Sequence, residues 1–156
     1  MLPVAGCAGV QFSTEIAAEG TLCNRDANLI LLILENLIQN AVQATPAGKE
    51  VKLRFGKIFT EAAASPVQES LFAEVQDEGS GLPTALQENL FTPCRSTKPG
   101  GAGIGLAISK QLAKHLGANL ELKQSSAQGC VFRLTLADSK AAESGFPVSP
   151  VELAGA

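Results

Sequence analysis

The sequence of 156 residues predicts an α+β fold, a two-layer α/β sandwich in which a mixed sheet carries its helices on one face. Two observations carry this prediction. Segments with an apolar residue at every second position, typical of half-buried strands, alternate along the chain with segments of helical periodicity. The length is that of one domain with a single substantial core.

The first predicted elements are a strand and a long helix. A loose alternation of apolar and polar residues over 10–16 predicts the strand. The helix extends over 26–44 and ends before Pro46 and Gly48. Because apolar positions cover most of its circumference, we expect this helix to be largely buried.

Two strands follow over 51–57 and 71–75. The segment between them, 60–68, is rich in alanine and small polar residues and predicts a loop or frayed turn. A short helix is then expected to begin at Pro83, which suits the first turn, and to end near Phe91.

The last predicted elements are a helix and a hairpin. The helix extends over 104–116, with Gly117 placed to cap its carboxyl end. A closing hairpin over 120–136 turns about residues 127–129. The chain thus divides into a start or linker segment over 1–9, one domain over 10–137 and a poorly ordered tail over 138–156.

Composition excludes several classes of function. The net charge of −3 gives no electrostatic footprint for nucleic-acid binding. Four cysteines without CxxC spacing and one histidine suggest neither a zinc site nor a disulfide framework, so we expect a cytoplasmic location. No apolar run approaches the ~20 residues that a transmembrane helix needs.

Polar side chains interrupt the apolar pattern of the long helix. Asn36 and Asn40 are four residues apart and therefore lie on one face, with Gln43 one turn further along. Such amides are often satisfied by neighbouring backbone or water, which is the structural alternative. The functional hypothesis is that the Asn40 carbonyl oxygen binds Mg²⁺ and that Gln43 reaches a phosphate.

An acidic residue and two glycines follow the second of the paired strands. The Asp77 carboxylate can accept a hydrogen bond from an adenine amino group, and Gly79 and Gly81 let the backbone approach the base closely. An acidic residue before glycines is also common in hairpin turns, and that alternative stays open here.

A second glycine-rich segment opens the last helix. Its backbone N–H groups and the positive end of the helix dipole can hold phosphates. The spacing matches neither a P-loop nor a dinucleotide-binding unit. Thr97 and Lys98 stand in a polar stretch over 92–101, which we expect to be a mobile lid that grips phosphate. The residues of this segment are Gly101, Gly103, Ile104, Gly105 and Leu106.

Together these motifs resemble the ATP-binding superfamily of DNA gyrase, the large heat-shock chaperones, MutL proteins and bacterial histidine kinases. The resemblance covers about 10–136 and implies a Bergerat-type fold that binds ATP and Mg²⁺. The matching segments are 36–41 (N box), 77–81 (first glycine box), 90–93 (F box), 101–106 (second glycine box) and 129–132 (final strand).

Within that superfamily the sequence looks most similar to the catalytic domain of a sensor histidine kinase. ATP-hydrolysing members carry a glutamate that activates water four residues before the magnesium asparagine, where this chain has Asn36. Glu35 is adjacent but about 100° around the helix. The resemblance therefore implies phosphoryl transfer to a protein side chain, with Asn36 and Lys98 contacting ATP in a catalytic role.

Two departures from the family pattern bear on partners and on the site. No segment resembles the histidine-bearing helical hairpin, and the only histidine, His115, is misplaced for that role. We therefore expect this chain alone to be a monomer that does not autophosphorylate. Its parent is expected to be a homodimer, with or without a membrane anchor, that supplies the hairpin and indirectly serves a response regulator. The family threonine after the last glycine is Cys130 here.

Two alternatives remain from the sequence. An anti-sigma-factor serine kinase has a similar catalytic domain, although the F box at Phe91 and the short loop that follows favour the histidine kinase. A catalytically silent module that only senses ATP would carry the same binding motifs. ATP affinity without phosphoryl transfer to a separately supplied histidine hairpin would favour the silent module.

Overall fold

A computed structural model describes residues 9–18, 24–62, 65–93 and 104–136. Its five strands form one sheet in the order β1-β2-β3-β5-β4, in which β1 and β2 are parallel and the other neighbours antiparallel. The predicted mixed sheet is confirmed. The elements are β1 (Gln11–Ile16), α1 (Asn24–Ala44), β2 (Glu50–Ala62), β3 (Ser65–Asp77), α2 (Thr84–Gln87), α3 (Gly105–His115), β4 (Asn119–Ser126) and β5 (Gly129–Leu136).

The core lies between the sheet and helices α1 and α3. Alternate residues of the strands point toward the helices, as the cross-strand pair Val75 and Phe132 shows, and both are buried. From α1, Ile33 and Leu37 are at most 1% exposed, and Ala113 of α3 is fully buried. The long helix and the helix after the second glycine box are therefore held by the same apolar cluster.

Helix α1 is amphipathic, so the prediction that it is largely buried is wrong. Its buried positions lie on one side, whereas Leu31 and Leu32 are 58% and 53% exposed. Apolar residues around the whole circumference do not all find partners, because one sheet can cover only one face of a helix.

Residues 60–62 and 65–68 are strand, so the prediction of a loop is wrong for these described residues. Residues Thr60 and Gln68 pair across the hairpin, as do Ala62 and Ser65, with a register shift between. This end of β3 extends past the part that pairs with β5, which begins at Leu71. Position 66, a proline, lies in this part of β3, which in the described residues pairs with β2 alone, and prolines in strands are largely confined to such edges.

The remaining elements follow the sequence prediction with one difference in length. Helix α2 is a single turn, and residues 88–92 continue as turns. Helix α3 ends in a Schellman motif, in which Gly117 N–H donates to the Lys114 carbonyl (3.1 Å) and Ala118 N–H to that of Ala113 (2.8 Å). The cap predicted at Gly117 and the closing hairpin are confirmed.

Apart from Gly9, the start segment and the tail over 138–156 lie outside the described residues, so their predicted character stays a prediction. Within the described ranges no helix is both long and apolar enough to cross a bilayer.

The sheet face away from the helices carries one buried acid. The Glu74 side chain is 5% exposed and lies between two arginines, with Arg54 Nη1 3.1 Å from one carboxylate oxygen and Arg133 Nη2 2.6 Å from the other. Arg133 also stacks on the Phe72 ring, 4.7 Å from its centroid. This ladder ties β2, β3 and β5 together on the open face.

Substitution of Glu74 by alanine should lower the free energy of unfolding by about 1.5–3 kcal/mol, the range for hydrogen bonds to a charged group. Urea denaturation measures this loss. Glu121→Ala is the matched control, because its carboxylate pairs with Lys123 across 3.7 Å with both side chains 41% exposed. Such exposed pairs contribute about 0–1 kcal/mol. Equal losses in the two variants would contradict the role given to Glu74.

Candidate functional site

The carboxylate at the end of β3 is held by backbone on two sides. Asp77 is 5% exposed, and its Oδ1 accepts hydrogen bonds from the N–H groups of Gly79 (2.8 Å) and Cys130 (3.2 Å). The first bond closes the turn after β3, and the second comes from the start of β5. The carboxylate therefore has a fixed orientation set by main-chain atoms.

Glycines around Asp77 allow main chains to meet without side chains between them. A Cβ atom on Gly79 would lie 2.6 Å from the Ala44 carbonyl oxygen at the end of α1. On Gly81 it would collide with the Ser126 carbonyl, and on Gly129 with that of Asp77. The φ angles of Gly81 (77°) and Gly129 (125°) also disfavour any side chain. The loop is thus wedged between α1 and the turn of the closing hairpin.

Ser125 of β4 fastens the chain that leaves this loop. Its hydroxyl accepts the Leu82 N–H at 2.8 Å, while the Leu82 carbonyl accepts a hydrogen bond from the Gln87 side chain at 2.8 Å. The sequence analysis missed Ser125, and nothing local distinguishes it from any other serine on a half-exposed strand.

Cys130 stands where the family has a threonine, and it is buried. Burial raises the pKa of its thiol, as does the nearby negative charge of Asp77, while a hydrogen bond with Ser125 opposes them. The contact with Asp77 comes from the Cys130 backbone N–H, so it does not depend on the side chain. The departure from threonine therefore leaves the hold on Asp77 intact.

The polar face of α1 lies beside the beginning of α3. Asn36 and Asn40 are half-buried, Gln43 is exposed, and Glu35 is exposed on another side of the helix. The Asn36 amide donates a hydrogen bond to the Ser109 hydroxyl of α3 at 2.8 Å. The structure thus brings Asn36 to the helix that follows the second glycine box.

The first turn of α3 includes the predicted residues Gly105 and Leu106, both half-buried, and follows Ile104, which is 43% exposed. The first N–H groups of a helix have no partner within it, so this turn offers donors to an anion. The other residues predicted for this phosphate side fall outside the described part of the chain: Thr97, Lys98, Gly101 and Gly103.

Phe91 of the F box is anchored beside α3. The Lys110 ammonium lies 5.1 Å from the centre of the Phe91 ring and donates to the Leu120 carbonyl at 2.6 Å. The chain before the undescribed segment over 94–103 is therefore fixed to α3 and β4. His115, at the end of α3, is exposed, in agreement with a surface histidine.

Helix α1 borders both parts of the site. Near its middle Asn36 meets Gly105, and at its end the Ala44 carbonyl meets Gly79. These two contacts are separated along the helix axis by about 12 Å, at 1.5 Å per residue. A ligand with a base at one end and phosphates at the other fits this arrangement.

The residues present fit a magnesium ion that is bound jointly by protein and phosphates better than one bound by protein ligands alone. Across the described ranges no group of three or more His, Cys, Asp or Glu side chains could hold a metal. The half-buried Asn40 supplies one amide oxygen on the face that leads to α3. Mg²⁺ commonly takes few protein ligands and completes its shell with phosphates and water.

Comparison with known proteins shows the family of this chain. Residues 25–140 match the family described as histidine kinase-, DNA gyrase B-, and HSP90-like ATPase. Sporulation kinase C of Bacillus subtilis (strain 168) is 30% identical over 118 residues, covering 76% of this chain and 26% of the relative. The sensory histidine kinase/phosphatase NtrB of Klebsiella oxytoca is 36% identical over 99 residues, covering 62% and 28%.

Solved structures show the same fold. The catalytic domain of histidine kinase ThkA superposes with a TM-score of 0.68 at 24% identity, covering 85% of this chain and 82% of that one. Full-length ShkA in complex with AMPPNP gives 0.67 at 25% identity, covering 87% and 27%.

The chain belongs to the histidine kinase-, DNA gyrase B-, and HSP90-like ATPase family. Relatives that it matches are named as histidine kinases, and within that family the chain is an ATP-binding catalytic domain of the histidine-kinase type. The serine-kinase and silent-module alternatives are not favoured. The chain spans 26% and 20% of the length of two such relatives, about a quarter or less.

Proposed function

We propose that this domain supplies the γ-phosphoryl group of ATP to a histidine on a separate helical hairpin of its parent protein. The observation that carries the proposal is at Asn36, where hydrolytic relatives have a carboxylate that activates water. The Asn36 amide instead donates to Ser109, and the adjacent Glu35 is exposed on another side of α1. A site built this way favours transfer to a side chain over transfer to water.

At the end of the site proposed for the base, the Asp77 carboxylate accepts a hydrogen bond from the adenine amino group. Its orientation is fixed by two backbone N–H groups, and Gly79 and Gly81 let the loop that carries it pack closely on α1 and on the closing hairpin. A guanine would present an oxo group to the same carboxylate, and two acceptors facing each other lose a hydrogen bond that water had provided.

At the phosphate end, Asn40 is the proposed ligand of magnesium, and Gln43 reaches a phosphate. Magnesium, when bound, neutralises charge on the phosphates. The start of α3 offers N–H donors through Gly105 and Leu106. The other proposed contacts with phosphate come from residues Thr97, Lys98, Gly101, Gly103 and Ile104.

The reaction forms a bond between an imidazole nitrogen and the γ-phosphorus as the bond from that phosphorus to the ADP oxygen breaks. Such transfer relies on positioning and on stabilisation of charge, with little acid or base chemistry from the protein. The proposed catalytic residues Asn36 and Lys98 serve those two needs. The histidine belongs to the partner hairpin, because His115 is exposed at the far end of α3.

We further propose that the parent is a homodimer in the cytoplasm or anchored to a membrane, and that it serves a response regulator. This chain alone would be a monomer. Nucleic acid is not a proposed partner, since the net charge is −3.

Labelled ATP tests the proposal in three proteins: this domain, the complete parent, and the parent carrying Asn36→Glu. We expect almost no hydrolysis by the domain alone and labelling of a histidine in the parent. The Asn36→Glu variant should divert label toward free phosphate. Rapid hydrolysis by the isolated domain would favour an ATPase, and an unlabelled parent would favour a silent binding module.

Removal of the Asn40 amide should abolish much of the dependence of ATP affinity on magnesium. We expect Asn40→Ala to bind ATP with nearly the same affinity in magnesium and in a chelator, because the ion loses its protein ligand. Calorimetric titrations under both conditions measure this. Gln39→Ala is the control, since Gln39 is exposed on a different side of α1. A magnesium dependence equal to that of the wild type would refute the metal assignment.

A further inference from the structure

The contact between α1 and α3 includes a polar pair. Ser109 is 1% exposed and bonds to Asn36, 73 residues away in the sequence. The other buried positions of α3 are alanines, at 107 and 113. A hydroxyl at such a place costs desolvation unless it is hydrogen-bonded, so alanine would serve packing alone at least as well.

The same amide also touches the first residue of α3. A Cβ atom on Gly105 would collide with Asn36 Oδ1, which leaves no room for a side chain there. Asn36 therefore contacts α3 at two levels, one turn apart: its oxygen lies against Gly105 and its nitrogen donates to Ser109. The first intrahelical bond of this turn runs from Ile108 N–H to the Ile104 carbonyl, at 2.9 Å.

This contact joins the two places proposed to hold the phosphates, which are the Asn40 region of α1 and the first turn of α3. One turn along α1 from Asn36 stands Asn40, and the turn that Asn36 touches carries the free N–H groups of Gly105 and Leu106. A hydrogen bond has a defined direction and length, whereas alanine packing would let the helices slide. The pair thus fixes where the start of α3 stands relative to Asn40.

We propose that Ser109 is a positioning residue for ATP, acting through Asn36 to hold the first turn of α3 in register with Asn40. The inference rests on the proposed ATP site. In this account Asn36 places the backbone N–H donors that bind the phosphates. Loss of the Asn36–Ser109 pair should therefore weaken binding of the phosphates and leave binding of the base unchanged.

A double-mutant cycle with Asn36→Ala and Ser109→Ala tests this, with Mg-ATP and adenosine as the two ligands and calorimetry as the readout. Each single variant should bind Mg-ATP about three- to tenfold more weakly, the range of one neutral hydrogen bond. The double variant should be no weaker than the weaker single variant. Adenosine, which has no phosphates, should bind all four proteins equally.

Controls separate positioning from general loosening of the interface. Ala113→Gly, one turn further along the same buried face, should lower the midpoint of thermal unfolding and leave the ratio of Mg-ATP to adenosine affinity unchanged. Ser109→Cys keeps the volume with a weaker acceptor and should fall between the wild type and Ser109→Ala.

Three results would overturn the proposal: additive losses of Mg-ATP affinity in the cycle, parallel losses for adenosine, or a change of the ratio in Ala113→Gly equal to that in Ser109→Ala. Wild-type protein that binds adenosine and ATP equally, or binds neither, would overturn the ATP site itself and the positioning role with it. Additivity in a wild type that binds Mg-ATP well would remove only the positioning role.

Discussion

Gly129→Ala should lower the free energy of unfolding by about 2–6 kcal/mol, since overpacking and a strained backbone each cost about 1–3 kcal/mol. The new methyl group would collide with the Asp77 carbonyl, and the φ angle of 125° is one that residues with a side chain rarely adopt. A domain with about 5–15 kcal/mol of stability would lose a large share of it. Urea denaturation gives the value directly.

Gly48→Ala is the matched control for this substitution. Gly48 also has a positive φ angle, 82°, but a Cβ atom there has no neighbour within 4 Å. Only the backbone strain should remain, about 1 kcal/mol for a left-handed alanine. If both variants lost the same stability, the close packing of Gly129 against Asp77 would not matter.

Asp77→Asn should weaken ATP binding by about 1.5–3 kcal/mol, the value of a charge-assisted hydrogen bond, or roughly 10- to 150-fold. The asparagine keeps an oxygen for the N–H groups of Gly79 and Cys130, so the loop should stay folded. The other carboxylate oxygen is replaced by an NH₂ group, which is a donor and therefore repels the adenine amino group. Calorimetry measures the affinity.

Asp26→Asn makes the same chemical change at the opposite end of α1, where the carboxylate pairs with the exposed Arg25 in the part of the chain that the structure describes. Its affinity for ATP should match that of the wild type. Wild-type affinity in Asp77→Asn, or an equal loss in Asp26→Asn, would remove the role of Asp77 in recognition of the base.

Local chemistry explains what the sequence could predict. Asp77 with Gly79 and Gly81 forms a turn whose geometry needs glycine, and the periodicity of α1 and α3 is set within each segment. The cap at Gly117 is likewise a property of adjacent residues. For elements and motifs of this kind, the residue ranges predicted from the sequence are close to those in the structure.

Contacts between distant segments explain what the sequence could not predict. Residues 60–62 and 65–68 become strand because β2 and β3 pair there, which no local propensity reveals. The exposure of Leu31 and Leu32 depends on how much of α1 the sheet can cover. The hydrogen bond from Asn36 to Ser109 joins residues that are 73 positions apart in the sequence. A second hydrogen bond, to Asp77, comes from the Cys130 backbone N–H, and a pattern of side chains cannot predict it.

The central claim is that the cleft between α1, the loop after β3 and the start of α3 binds an adenine nucleotide with magnesium. Calorimetric titration of the wild-type domain with ATP and then with GTP, both in magnesium, tests it most directly. The account predicts one saturable site for ATP and affinity for GTP at least about tenfold weaker, because the Asp77 carboxylate cannot accept from the guanine oxo group. Equal affinity for the two nucleotides, or no binding of ATP, would contradict it.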